Sequence, residues 1–155
     1  MPRPLSWGRS WIRIACLKLA CSAVVLLTST LTNADALVVI VNPASGVGQM
    51  TRNEVASIYM ARTRTLAPGV AALPLDIAGD ASEKRRFYSA LLGKTLPEVN
   101  AYWARLLFTG RATPPQQIGD EVSVVATVAE NKGAIGYVSK GKINARVKVV
   151  LELVP

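Results

Sequence analysis

Hydrophobic positions along the chain fall into short unbroken runs separated by stretches of helical period. Leu37 to Val41 reads Leu-Val-Val-Ile-Val, a β-branched run of the kind found in strands buried on both faces. The turn Asn42-Pro43-Ala44-Ser45-Gly46-Val47-Gly48 ends it. Thr51 with Glu54 three residues on forms a capping box, and Val55, Ile58 and Tyr59 then share one helical face. Pro68-Gly69 is a turn, and Ala71 to Ile77 is the second strand. Asp80 with Glu83 is a second capping pair, opening a helix that buries Phe87, Ala90 and Leu91 and stops at Gly93.

Thr95 starts a third helix with Pro97 in its first turn, and Val99, Trp103, Leu106 and Leu107 form its apolar stripe. Pro114-Pro115 keeps Arg111 to Gln117 out of regular structure. Val122, Val125, Ala126 and Ala129 mark a helix from about Asp120 to Asn131, closed by Gly133. Ala134 to Val138 and Val147 to Val154 are the last strands. The order β-α-β-α-α-α-β-β predicts an α/β layer architecture with a mostly parallel sheet flanked by helices.

Composition changes this picture mainly at the amino end. The chain has 155 residues and a formal net charge of +8, which on its own would suggest a nucleic-acid partner. Arg3, Arg9, Arg13 and Lys18 precede an apolar run, Leu19 to Leu31, and the small-residue stretch Thr32-Asn33-Ala34-Asp35-Ala36. That is the layout of a secretory signal peptide over 1–36, with cleavage after Ala34 or after Ala36. An uncleaved anchor helix from Ile12 to Leu31 is the alternative. Setting aside the four leader cations leaves 14 basic and 10 acidic residues, a net +4, and the argument for nucleic acid goes with them.

Cys16 and Cys21 both lie in the leader, so the domain 37–155 is expected to be periplasmic, free of disulfides and without stable membrane insertion after cleavage. Without histidine there is no triad and no imidazole metal centre, and no cofactor is expected. A binding role is therefore easier to derive than catalysis. In an open α/β sheet, ligands sit beyond the carboxyl ends of strands. Two loops qualify: Ser45 and Gly46 after the first strand, and Asp80, Ala81, Ser82 and Glu83 after the second, where a helix start would favour an anion. Asp80 in the cap would compete with that anion, and Lys84-Arg85-Arg86 reads most simply as a solvated helix face.

Several segments resemble one family. Val41-Asn42-Pro43-Ala44, Met50 to Met60, Phe87-Tyr88-x-x-Leu91-Leu92 and above all Asn131-Lys132-Gly133-Ala134-Ile135-Gly136-Tyr137-Val138 are similar to the phosphate-binding proteins of ABC transporters. The resemblance implies a single lobe of the class II periplasmic-binding-protein fold. It further implies phosphate or another small anion as ligand and an ABC permease or an envelope protein as partner. In that family an arginine precedes Ser-Gly-Thr at a helix start; aligned on Phe87, Ala81, Ser82 and Glu83 stand at the triplet and Ile77 near the arginine. Losing those donors would weaken capture of a desolvated phosphate, and a module that keeps the fold without high-affinity anion binding is the alternative.

Overall fold

The computed structural model describes residues 36–153; the leader read at the amino end lies outside them, apart from Ala36. Five strands form the main sheet in the order β5-β4-β6-β1-β7. They are β1 (Leu37–Val41), β4 (Leu73–Ile77), β5 (Gln116–Ile118), β6 (Ala134–Ser139) and β7 (Lys148–Leu153). A separate hairpin joins β2 (Thr65–Ala67) to β3 (Val70–Ala71) around the predicted Pro68-Gly69 turn. The helices are α1 (Arg52–Tyr59), α2 (Ser82–Leu92), α3 (Leu96–Phe108) and α4 (Glu121–Glu130).

Strand β4 pairs in parallel with β5 and β6, whereas β1 runs antiparallel to both β6 and β7. Four strands thus share one direction and β1 opposes them, so the sheet is mixed and mostly parallel. The observed order contains three short strands that the periodicity did not predict: β2, β3 and β5. Each has two or three residues, too few to display an alternation of period two. β5 exists because β4 holds it, with Gln116 beside Leu75 and Ile118 beside Ile77.

The apolar run of β1 is buried along its whole length, as a strand flanked on both sides and covered on both faces must be. Helix α4 presents Val124, Val125 and Val128 to the sheet, leaving Val122 exposed. The predicted helix is present, then, but its buried face differs from the expected one. Gly136 lets α4 approach β6: a Cβ there would stand 2.4 Å from Val124 Cγ1. Gly133 passes even closer to backbone, with a Cβ falling 2.3 Å from the carbonyl oxygen of Ala71. The two glycines of the Gly-Ala-Ile-Gly-Tyr motif are therefore packing requirements.

Four aromatic side chains fill the space beneath α1 and α2. Phe87 stacks on Tyr137 at 3.8 Å between centroids and meets Tyr59 edge-on at 4.7 Å. The Tyr59 hydroxyl donates to the carbonyls of Leu75 (2.8 Å) and Ile135 (3.3 Å), so this ring also links neighbouring strands. On α3, Val99 and Trp103 are buried as predicted and Leu96 is buried with them, while the partly exposed Tyr102 donates to the Met60 carbonyl at 2.7 Å. Leu107 departs from the expected stripe and is half exposed.

Candidate functional site

Antiparallel β1 separates the two predicted ligand loops. Register places Val41 opposite Ile135, which lies beside Pro74 at the amino end of β4. The loop after β1 therefore emerges at one end of the sheet and the loop after β4 at the other, about 15 Å apart for strands of this length. Ser45 and Gly46 do not meet Asp80, Ala81, Ser82 and Glu83.

The first loop is occupied by its own structure. Asn42 is buried, and its amide donates to the carbonyls of Val128 (3.0 Å) and Ala129 (2.8 Å) near the end of α4. Its carboxamide oxygen accepts from the Ala44 amide at 2.8 Å. Ser45 is buried and its hydroxyl accepts from the Val47 amide at 3.3 Å, while Gly46 adopts φ +77°, the left-handed turn that closes the loop. These contacts make the loop a structural tie between β1 and α4.

At the other end, the α2 start differs from the expected Asp80 cap. The cap residue is Ala81, with no side-chain hydrogen bond to the first turn. Asp80 does not cap; its carboxylate pairs with Arg85 Nη1 at 3.1 Å, both side chains being largely exposed. An Asp80 cap would have occupied the positive end of the helix. Instead, the first-turn amides have no side-chain acceptor at the cap, and Ser82 is exposed beside them. Glu83 also lies in that turn and is partly exposed.

Beneath this turn lies a polar cluster that sequence reasoning missed. Asp76 is buried and accepts hydrogen bonds from Tyr137 (2.6 Å), Tyr88 (3.1 Å) and, at its limit, Gln117 (3.5 Å). Lys84 Nζ stands 3.0 Å from the same carboxylate, with side-chain exposures of 10% and 4% for the two partners. Lys84 is therefore not part of a solvated face. Burial and then the Asp76 carboxylate hold the Tyr88 and Tyr137 phenols well above their ordinary range, so both remain neutral donors. The signal was present in the spacing: residues 84, 87, 88 and 91 follow a helical period, placing Lys84 on the buried face.

The cluster fastens the first turn of α2 to the end of β4. Within it the Lys84 ammonium offsets the buried Asp76 charge. Among the described residues no group of three or more acidic, histidine or cysteine side chains is placed to hold a metal ion. No described helix is long and apolar enough to cross a membrane.

The sequence matches no protein-family profile and no curated protein. Solved structures do match. An ABC-type phosphate transport receptor from Vibrio cholerae superposes with a TM-score of 0.59 at 17% identity, over 75% of this chain and 45% of that one. PstS from Borrelia burgdorferi superposes with a TM-score of 0.55 at 15% identity, over 75% of this chain and 46% of that one. The chain has a periplasmic-binding-protein fold, as a single lobe. It spans less than half the length of either protein. Identity this low establishes the architecture of the lobe and leaves its ligand to be argued from its own residues.

Proposed function

We propose that this chain is an exported solute-binding-type domain, not an enzyme, and that it takes phosphate or a related oxyanion at the first turn of α2. The observation that carries the reading is the helix start after β4, where the cap residue Ala81 gives the first-turn amides no side-chain acceptor and Ser82 is exposed. Such a turn favours negative charge through its dipole and its free amides. The fold likeness to a phosphate transport receptor supports the choice of anion. The signal-peptide pattern supports a periplasmic location, and the partner would be an ABC permease or another envelope protein.

Affinity at this turn is modest. Asp80 and Glu83 stand beside it, Arg85 is engaged by Asp80, and Lys84 is engaged by Asp76. A phosphate held on one side keeps much of its hydration, and a strong complex needs an opposing wall from another polypeptide. The same balance of charge favours the second reading, an interaction module that keeps the fold without binding the anion tightly.

Thermal unfolding with increasing phosphate separates the two. A ligand at one hundred times its dissociation constant stabilises by about 2.7 kcal/mol, worth roughly 10 °C for a domain of this size. A saturable rise with phosphate, absent with chloride at matched ionic strength, supports anion binding. No rise with millimolar phosphate or sulfate supports the interaction module.

A further inference from the structure

A second feature lies toward the amino ends of β4 and β5, away from the α2 turn. It is a groove of about 780 Å³ bounded by the segments after α1 and α3. Ile58, Leu73, Pro74 and Leu107 give it an apolar lining, and Arg64 and Arg111 add two cations. No lining residue is acidic. Arg64 Nη2 donates to the Arg111 carbonyl at 3.2 Å, which joins the two segments.

The charges here differ from those around α2. Among the described residues, neither Arg64 nor Arg111 forms an ion pair with a carboxylate. Among the described residues, five carboxylates pair with other cations: Asp76 with Lys84, Asp80 with Arg85, Glu98 with Lys94, Glu130 with Arg146 and Glu152 with Lys140. Leu107, in the groove lining, is 50% exposed, and Phe108, next in the chain and the last residue of α3, is 94% exposed. Single exposed apolar side chains are ordinary, but Leu107 lines an apolar groove bearing two arginines, and Phe108 follows it in the chain. Aromatic residues and arginine over an apolar centre are the side chains that dominate protein interfaces.

We propose that this groove docks an acidic, apolar polypeptide segment of a partner protein. Carboxylates of the segment pair with Arg64 and Arg111, its apolar side chains fill the lining between them, and Phe108 packs against its flank. Charge complementarity selects an acidic partner. The concave shape fits a narrow polypeptide and not a flat bilayer. Two cations and a lining without aromatic rings do not provide the phosphate contacts and stacking platforms that bind nucleic acid. The volume lies within the range of small-ligand pockets, so an apolar carboxylate such as laurate is the competing occupant.

The probe is a display library of random dodecapeptides panned against the purified protein, followed by fluorescence polarisation of the best binder. The expected peptides carry Asp or Glu flanking apolar residues. Their affinity falls about tenfold or more in the Arg64→Glu/Arg111→Glu variant, and clearly in Phe108→Ala. All three side chains are exposed, and an unchanged melting temperature checks that the fold survives. Arg111→Glu alone serves as a second variant, since Arg111 contributes its backbone carbonyl to the Arg64 contact and not its side chain. Ser82→Ala, at the other end of the sheet, leaves peptide affinity unchanged. The proposal is overturned if no peptide is enriched, if neutral or basic peptides dominate, or if the charge-reversed variant binds equally well. It is also overturned if laurate alone shows the arginine dependence.

Discussion

Replacing Lys84 with Met tests how α2 is held to the sheet. The side chains of Lys84 and Asp76 are 10% and 4% exposed, so the substitution strands a buried carboxylate. Removing one partner of a buried pair costs about 3–5 kcal/mol. Asp76 keeps the short hydrogen bond from Tyr137 at 2.6 Å and that from Tyr88 at 3.1 Å, which places the expected loss near the lower end, about 3 kcal/mol. That corresponds to a melting temperature lower by roughly 12 °C. Asp76→Asn strands the ammonium instead, while Asp76→Asn/Lys84→Met removes both charges. The double variant should therefore lose less than the two singles together, with a coupling of about 2–3 kcal/mol. Urea denaturation followed by tryptophan fluorescence and by circular dichroism measures all four proteins. A Lys84→Met cost below about 1 kcal/mol, or strictly additive losses, would refute the claim that a buried ion pair anchors α2.

Two further outcomes follow from the core. Gly133→Ala should be the more damaging of the two motif substitutions, because its Cβ meets a backbone carbonyl at 2.3 Å, whereas at Gly136 the obstacle is a valine methyl at 2.4 Å. Gly136→Ala should cost about 1–3 kcal/mol, and chemical denaturation gives the order directly. Tyr59, Tyr88 and Tyr137 have phenols raised above their ordinary value of 10.0, primarily by burial. Above pH 10.0 the unfolded chain has released protons that the folded chain keeps, so stability falls as pH rises, by about 1.4 kcal/mol per pH unit for each phenol. Absorbance at the phenolate band should therefore record these three tyrosines ionising in step with unfolding; their ionisation in a protein still folded by circular dichroism would contradict the burial.

Much of the fold was legible because its long elements carry their period openly. Leu37 to Val41 has the unbroken β-branched run of a covered strand, and Thr51 and Thr95 both open helices with complete capping boxes. The hairpin and β5 were hidden because pairing to a neighbour creates strands of two or three residues. Strand direction was hidden as well: nothing in Leu37 to Val41 states that β1 runs against the rest, yet that reversal parts Ser45 and Gly46 from the α2 turn. The candidate site was found by its place after a strand, but its side-chain roles were not. Asp80 resembles a cap in sequence, and only the arrangement in space gives it to Arg85. Lys84 resembles surface charge in the run Lys84-Arg85-Arg86, and its pairing with Asp76 depends on contact between α2 and β4.

Amide NMR during a phosphate titration reads out whether an oxyanion binds at the first turn of α2. Saturable shifts are expected on the amides of Ser82, Glu83 and Lys84, with the loop Asn42 to Gly48 and the groove residues Arg64 and Arg111 unmoved. Absence of shifts up to millimolar phosphate, or shifts centred on Arg64 and Arg111, would contradict binding at that turn.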